Sequence, residues 1–499
     1  GFTAGHDKVF ICYWGSWSHY RHGSGAFSVD RVDPTLCTHL VYAFAKIENG
    51  VIKAFDDYLD LAKPWHLGMY KKFNELKLAN PKLKTIIAIG GWNEGSQKYS
   101  QMASTSEGRR KFVESILAFL EFHGFDGLDM DWEYPAQRGG KPEDRDNFSQ
   151  LLRDLRAAFD KKNYLLTAAV SAGIETAKVS YDIPEISRSL DLISIMGYDF
   201  FGAWDEYTGH NSPLRARESA SEIEKIMNVE ASIDFWISKG ANVSKMVLGM
   251  PLYGRTFTLA DPNNSGLRAL TTGPGRAGPF TGEPGYQGYN EICLQLLSGG
   301  WKMTRDPYVG APVVVKDREW IGFDDVESLT AKVEFAMSKG LAGAMVWSIE
   351  TDDFTGQCGG TVNPLLKAIH KALGLPHTER RFIPPTPAPT PIVWWRPSQE
   401  TAKNLQAEPE LDMPNLQKPL CLRPSATQAP QPLNSDQAKP KSNVQGLPCP
   451  TEGWFAHPSD KRKFYACTSR PDGAYNVHEF ECDPHTEFDS DIGVCVHER

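Results

Sequence analysis

The chain predicts an α/β protein, a closed (β/α)8 TIM barrel. Eight short β-branched or apolar runs precede residue 375, stretches of helical period separate them, and polar or aromatic residues gather just past their ends. The runs are 9–13, 39–44, 85–89, 127–133, 165–170, 192–196, 246–250 and 343–348. Between them, segments such as 108–123, 144–161 and 325–339 carry apolar residues at helical spacing. In a barrel of parallel strands functional groups collect at the C-terminal strand ends, and Glu133, Tyr198 with Asp199, Tyr253 and Trp347 fall there. One interval breaks the rhythm. Between Tyr253 and a helix near Asp324 lie about seventy residues punctuated by Gly, Pro and aromatics, too many for an unstructured loop, which predicts an inserted subdomain over about 255–322.

The fourth run is the one that carries chemistry. Along an extended chain Asp129, Asp131 and Glu133 share one face, while Leu128, Met130 and Trp132 share the other. Asp126 falls off that parity, nearer the strand's start. Carboxylates crowded in a low-dielectric interior cannot all ionise, so one of them holds its proton to higher pH, as a general acid must. A solvated edge strand would waste Met130 and Trp132. A hard-cation site usually draws carboxylates and carbonyls from a looping segment instead, so no metal is expected.

After about Gly374 the composition turns to Pro, Thr, Gln, Ser and Lys, including Ile383-Pro384-Pro385-Thr386-Pro387-Ala388-Pro389, the pattern of a stiff disordered linker. The expected organisation is therefore a catalytic unit over 1–375, a linker over 376–446 and a cysteine-rich tail over 447–499. The 499 residues carry a net charge of −9 with no concentrated basic face, which disfavours a nucleic-acid partner. No apolar run approaches bilayer-spanning length and no charged-then-apolar leader opens the chain, so no membrane partner is expected and the chain reads as mature or trimmed. The nine cysteines include no CxxC pair and no zinc spacing, and four of them crowd the tail. That density suits disulfides in a small secreted module and predicts an extracellular protein. Cys421, isolated among prolines, is the candidate for the odd thiol. Asn147, Asn242 and Asn263 open N-x-S sequons.

Four separated segments resemble the chitinase family, glycoside hydrolase family 18. Asp126 to Glu133 matches its DxxDxDxE signature, Ile89-Gly90-Gly91-Trp92 the end of its third strand, and Met196-Gly197-Tyr198-Asp199 its sixth. Gly249-Met250-Pro251-Leu252-Tyr253-Gly254-Arg255 and Met345-Val346-Trp347 resemble the seventh and eighth strands. The likeness covers about residues 8–374. It implies pairing of Cys12 with Cys37 and of Cys293 with Cys358, and it makes the insertion, between strands 7 and 8, an α+β domain walling one side of a substrate cleft. It also implies an endo-acting, monomeric, cofactor-free enzyme whose partners are chitin and chito-oligosaccharides. In that family the substrate's own 2-acetamido oxygen attacks C1, because an acid and a nucleophile on one strand face cannot straddle a sugar as in ordinary retaining enzymes. Glu133 would be the acid and base, Asp131 would orient the acetamido N–H, Asp129 would share its proton and Asp126 would prop the strand. Tyr198 would donate to the acetamido oxygen, and Asp199 and Tyr253 would hold the distorted sugar. Trp347 would form the floor, with Trp92, Trp204 and Trp17 extending it. Tyr13, Phe44, Gly91, Tyr134, Met196, Arg255 and Met345 complete the implied lining.

Plainer readings stand beside these. A Trp at a strand end is as often rim packing, Asp199 could be a helix N-cap, and Arg255 could be a surface ion pair. One departure touches the site: Ala88 stands where the family commonly has a Ser that helps hold the first Asp of the row. Tyr13 is the candidate substitute, with an altered pH profile the expected consequence. The tail is similar to peritrophin-type chitin-binding modules, with four cysteines where those have six, Lys461 standing at the second position. The likeness leaves Cys449 with Cys467 and Cys482 with Cys495, at a cost of about 2–4 kcal/mol for each missing bridge. Trp454, Phe455, Phe464, Tyr465 and Phe488 are either its small core or its ligand face. Two rival functions share the sequence: a catalytically silent lectin, which family members become by losing the terminal acid, and an endo-N-acetylglucosaminidase acting on glycans.

Overall fold

The computed structural model describes residues 8–376, 453–457, 459–469, 475–481, 486–489 and 494–497. The chain falls into two compact units, Gly1–Thr390 and Pro391–Arg499. In the first, the strands in chain order are β1 (Val9–Gly15), β2 (His39–Glu48), β3 (Val51–Ala54), β4 (Lys84–Gly90), β5 (Gly127–Asp131), β6 (Leu165–Ser171), β7 (Leu192–Met196) and β8 (Met246–Pro251). There follow β9 (Tyr253–Leu259), β10 (Thr271–Pro274), β11 (Tyr286–Gly288), β12 (Lys302–Arg305), β13 (Pro312–Lys316), β14 (Glu319–Gly322) and β15 (Gly343–Trp347).

Eight of these strands pair in parallel in the order β1-β15-β8-β7-β6-β5-β4-β2, and β2 returns to β1, so the sheet closes on itself. All eight expected runs are strands of this barrel, with two trimmed: β5 ends at Asp131, two residues short of the expected Glu133, and β15 ends at Trp347, one short of the expected Ser348. The helices Ser106–His123, Asp144–Phe159 and Val326–Ser338 stand where helical spacing put them. Alternation along each strand builds two apolar shells. Phe10, Cys12 and Trp14 pack outward with Leu128, Met130 and Trp132 against the helices, whereas Ile11, Tyr13, Val41, Ile86 and Ala88 fill the barrel's interior. β5 lies between β4 and β6, with Ala88 opposite Asp129 and Gly90 opposite Asp131. It is not an edge strand, and its acids point inward, as the parity reading requires.

The residues between β8 and the helix Val326–Ser338 form a second sheet, antiparallel in the order β10-β9-β14-β13-β12 with β11 added on β9. Its start is Tyr253, two residues earlier than expected. Disulfides join Cys12 to Cys37 and Cys293 to Cys358, with Cα separations of 6.2 and 5.8 Å. Asn242 and Asn263 are exposed, but Asn147 lies within the helix Asp144–Phe159 with Ser149 buried, a poor site for a surface sugar. No helix among the described residues is long and apolar enough to cross a membrane.

In the second unit, β16 (Gly453–Ala456), β17 (Lys463–Ser469) and β18 (Tyr475–Glu481) form one antiparallel sheet, and β19 (Thr486–Asp489) pairs with β20 (Val494–His497). Tyr465 is buried and stacks on Phe455 at 5.6 Å, so these two belong to a small core. The linker beyond residue 376, Cys421, the two tail pairings and the side chains of Trp454, Phe464 and Phe488 lie outside the described residues.

Candidate active site

The acidic row sits at the C-terminal end of β5, and its members differ in their support. Asp129 is fully buried and accepts from the Tyr13 hydroxyl at 2.8 Å and from Thr167 Oγ1 at 2.6 Å. Burial lifts its carboxyl to about 6, and the two hydroxyl donors hold it from rising further. With Ala88 in the opposing position, the hydroxyls that reach Asp129 come from Tyr13 and Thr167. Sequence reasoning missed Thr167, although its placement opposite Asp129 on β6 follows once the register is known.

Asp131 is buried with one carboxylate oxygen that has no hydrogen-bond partner. Desolvation, then the Glu133 and Asp129 charges, push its carboxyl well above the ordinary range. Burial also raises Glu133 to about 7, opposed by a hydrogen bond from Tyr134 and reinforced by the charge of Asp199. Three carboxyls thus compete for few charges, and protons are retained near neutrality. Glu133 lies just past the strand end, its backbone carbonyl accepting from Arg138 Nη1 at 2.9 Å. Arg138, which sequence reasoning missed, also donates to the Trp92 carbonyl and lies 3.5 Å over the Trp92 ring. Asp126 is elsewhere: at the start of β5 it accepts from the Thr85 backbone N–H at 2.8 Å and pairs with Lys77 at 3.1 Å, a structural brace at the barrel's other end.

The glycine pair ending β4 exists because of this crowding. A Cβ on Gly90 would lie 2.0 Å from the Asp131 carbonyl oxygen, and one on Gly91 would meet the Phe44 ring at 2.7 Å. Both glycines adopt positive φ, 121° and 84°. Gly91 also donates its N–H to the Asp131 carbonyl at 2.8 Å, which ties β4 to the acidic strand where the next residues leave the sheet.

Opposite the row, Asp199 occupies the left-handed region with φ 59°, and the next helix begins only at Glu222, so it is not a helix N-cap. Its Oδ1 accepts from the Tyr253 hydroxyl and from Arg255 Nε, both at 2.8 Å. Arg255 is largely buried, and its guanidinium faces the rings of Trp204, Tyr253 and Tyr286 at 4.9–5.6 Å, so its ion pair is part of the site and not a surface one. Asn211 fixes this corner by accepting from the Asp199 N–H at 2.9 Å and donating to the Tyr253 carbonyl at 3.2 Å. Neither Asn211 nor Tyr286, which stacks on Tyr253 at 4.5 Å, stood out in the sequence. Tyr198 directs its hydroxyl toward Met345 Sδ at 3.8 Å, and Met196, Tyr198 and Trp347 pack on the barrel's inner cluster. Burial and the surrounding carboxylates keep the Tyr13, Tyr198 and Tyr253 hydroxyls protonated.

Trp347 ends β15 among aromatic neighbours: Tyr13 at 5.6 Å, Phe44 at 5.7 Å and Trp17 at 6.0 Å. Trp92 and Trp204 stand more than half exposed. Together these groups make a cleft with aromatic walls, a row of proton-holding carboxyls and a tyrosine hydroxyl facing them, an arrangement suited to acid catalysis on a ring with apolar faces.

Comparison with known proteins agrees with that chemistry. The model of Glycosyl hydrolases family 18 matches residues 9–352. Chitotriosidase-1 of Mus musculus is 40% identical over 79% of this chain and 85% of its own length. The Ostrinia furnacalis Group IV chitinase, solved in complex with allosamidin, is 46% identical with a TM-score of 0.72 over 74% of this chain and 99% of that one. Human YKL-39, described as a pseudo-chitinase with retained chitooligosaccharide binding, is 39% identical with a TM-score of 0.69 over 74% of this chain and all of that one. With its barrel, its acidic row and a family match across most of the first unit, this chain belongs to glycosyl hydrolases family 18.

Proposed function

We propose that the protein is an endo-acting chitinase that hydrolyses β-1,4 linkages between N-acetylglucosamine units with retention of configuration. The observation that carries the reading is the complete inward-facing row ending in Glu133, whose carboxyl is raised to about 7 and so holds a proton to donate. In the first step the acetamido carbonyl oxygen of the sugar attacks C1, the C1–O bond breaks, and the departing oxygen takes the Glu133 proton. Asp131, with its free oxygen, accepts from the acetamido N–H and balances the positive charge of the ring-closed intermediate. Tyr198 donates to the acetamido oxygen. Water then loses a proton to the Glu133 carboxylate and adds to C1, reopening the acetamide, and two inversions at C1 give net retention. Asp199 with Tyr253 and Arg255 holds the sugar ring, and Trp347 supports its apolar face.

The second sheet is read as the family's α+β insertion domain, walling one side of the cleft. The tail over 447–499 is read as a chitin-binding module joined by the linker over 376–446, and the disulfides fit a monomer secreted to an oxidising compartment. The deciding experiment measures soluble oligosaccharide released from colloidal chitin. Wild type should release it, and Glu133→Gln should be slower by about 10²–10⁴-fold. Chitin binding without release by wild type would make the protein a lectin, as the pseudo-chitinase relative illustrates. Equal rates for the two proteins would remove Glu133 from the acid's role, and release of glycans from glycoproteins in preference to chitin would favour the endo-N-acetylglucosaminidase reading.

A further inference from the structure

One buried carboxylate near the cleft takes no part in the mechanism above. Glu350 is 1% exposed and lies just past Trp347, in the 3-10 helix Ile349–Thr351 that follows β15. Burial raises its carboxyl above the ordinary range and the charge of Arg21 opposes that shift, yet the Arg21 guanidinium donates to the Glu350 backbone carbonyl, at 3.5 Å. The carboxylate itself is held by two neutral donors. The Gly15 N–H reaches Oε2 at 3.2 Å and the Ser348 hydroxyl reaches Oε1 at 2.6 Å. An acid is expensive to desolvate on such terms, which directs attention to what the two bonds join.

They join the places where two aromatic groups of the cleft leave the barrel. The ladder between β1 and β15 ends with Cys12 opposite Val346, so past that point no strand pairing fixes one strand end against the other. Gly15 closes β1 and precedes the 3-10 helix Ser16–Tyr20 that carries Trp17, while Ser348 directly follows Trp347. Glu350 therefore bridges the two strand ends where the ladder stops. A Cβ on Gly15 would lie 2.7 Å from Glu350 Oε1 and 2.7 Å from the Trp17 ring, so the carboxylate and the indole crowd the same glycine. The result is a Trp17 ring 6.0 Å from Trp347 at 37° and 6.1 Å from Phe44 at 16°. Asn290, from the helix Tyr289–Leu297, donates to the Glu350 carbonyl at 3.4 Å and so fixes the turn that presents the carboxylate.

We propose that Glu350 is a positioning residue for substrate: by tying Gly15 to Ser348 it sets the Trp17 ring against Trp347, so that one oligosaccharide lies across both. The inference rests on the chitinase reading above and adds to it a residue that touches no sugar. Trp17 is 43% exposed and sits on a 3-10 helix of only 5 residues, so without the tie its ring is free to swing off the line of Trp347. Stacking depends on the orientation of the faces that meet, and a displaced indole gives up contact with the sugar. The effect falls on binding and not on proton transfer, because neither bond involves the acidic row of β5.

The test is a double-mutant cycle in the full chain between Glu350→Leu and Trp17→Ala. For each protein kcat and KM are measured on the soluble N-acetylglucosamine hexamer, hexamer affinity is measured by calorimetry in a Glu133→Gln background, and near-UV circular dichroism is recorded. Glu350→Leu alone should lower kcat/KM about fivefold, mainly through KM, and should lose the dichroism band that Trp17→Ala loses. With Trp17 already replaced by Ala, the same change should alter kcat/KM by less than about twofold, since no ring remains to be aligned. Glu350→Gln, whose amide can accept from Gly15 and donate to Ser348, should restore wild-type values. Ser348→Ala removes one of the two bonds and should show part of the loss; if Glu350→Leu does not fold, its cycle with Trp17→Ala carries the test. Wild-type binding by the variants, equal losses in both backgrounds, or a loss confined to kcat would overturn the proposal. If wild type cleaves nothing, the chitinase reading fails, while the same non-additive pattern in hexamer affinity still upholds the role of Glu350.

Discussion

Glu133 and Asp129 carry carboxyls raised by burial to about 7 and about 6, and the direction of those shifts fixes two measurable slopes. As a proton donor Glu133 is competent below its own pKa, so kcat/KM on a soluble oligosaccharide should fall about tenfold per pH unit above pH 7. For stability the sign is the same. A carboxyl raised in the folded state favours folding fully below its unfolded value near 4, and that contribution is lost as pH rises through 6 to 7. Replacing Glu133 by Gln removes one such titration. The variant's thermal midpoint should therefore decline less than wild type's between pH 5 and pH 8, by the equivalent of roughly 2 kcal/mol. Tyr13 acts in the opposite sense, because its hydroxyl favours the ionised form of Asp129. Tyr13→Phe should move the acid limb of the pH–rate profile to higher pH while leaving the fold intact; a profile superimposable on wild type's would mean that Thr167 alone sets the Asp129 charge.

The end of β4 shows how an element can be dictated by its neighbour. Gly90 has φ 121° and no room for a methyl group against the Asp131 carbonyl, so Gly90→Ala must move either β4 or β5. It should cost roughly 3 kcal/mol or more in denaturant unfolding and lower activity in the protein that remains folded. The barrel itself was readable in sequence because eight apolar runs and their helical partners follow rules of period and burial that act within a dozen residues. The inward parity of Asp129 and Asp131 was readable for the same reason. The end of β5 at Asp131 was not, since Gly91, just past β4, makes the last bond to Asp131 across the sheet, a contact that only the folded chain shows. Asn211, Tyr286 and Arg138 were equally silent, because each acts on backbone or ring partners that only the folded chain supplies. The resemblance named the residues proposed to meet substrate, and it left unnamed those that hold them in place.

At the scale of the molecule, a fully buried ion pair sits where the chain leaves the second sheet for the helix Val326–Ser338. Lys332, from the helix Val326–Ser338, reaches Asp324 at 2.7 Å and Ser212 Oγ at 2.7 Å, and Ser212 donates in turn to the Gly197 carbonyl at 2.5 Å, one residue before Tyr198. His210 Nε2 lies 3.0 Å from the carbonyl of Phe323 beside it. Lys332→Met strands a buried carboxylate and should destabilise by about 3–5 kcal/mol, while adding Asp324→Leu should recover much of that loss in a thermal melt. If the single variant is as stable as wild type, water reaches the pair and the burial argument is wrong. On the longer scale, removing residues 376–499 should spare cleavage of short soluble oligosaccharides and slow attack on insoluble chitin; equal loss on both would contradict a tethering tail. The unpartnered oxygen of Asp131 has an outcome of its own for the protein in solution. A ligand that brings an amide N–H to that oxygen stabilises the ionised carboxyl, so complex formation near neutrality must expel a proton into the medium, and calorimetric heats of binding should scale with the ionisation enthalpy of the buffer.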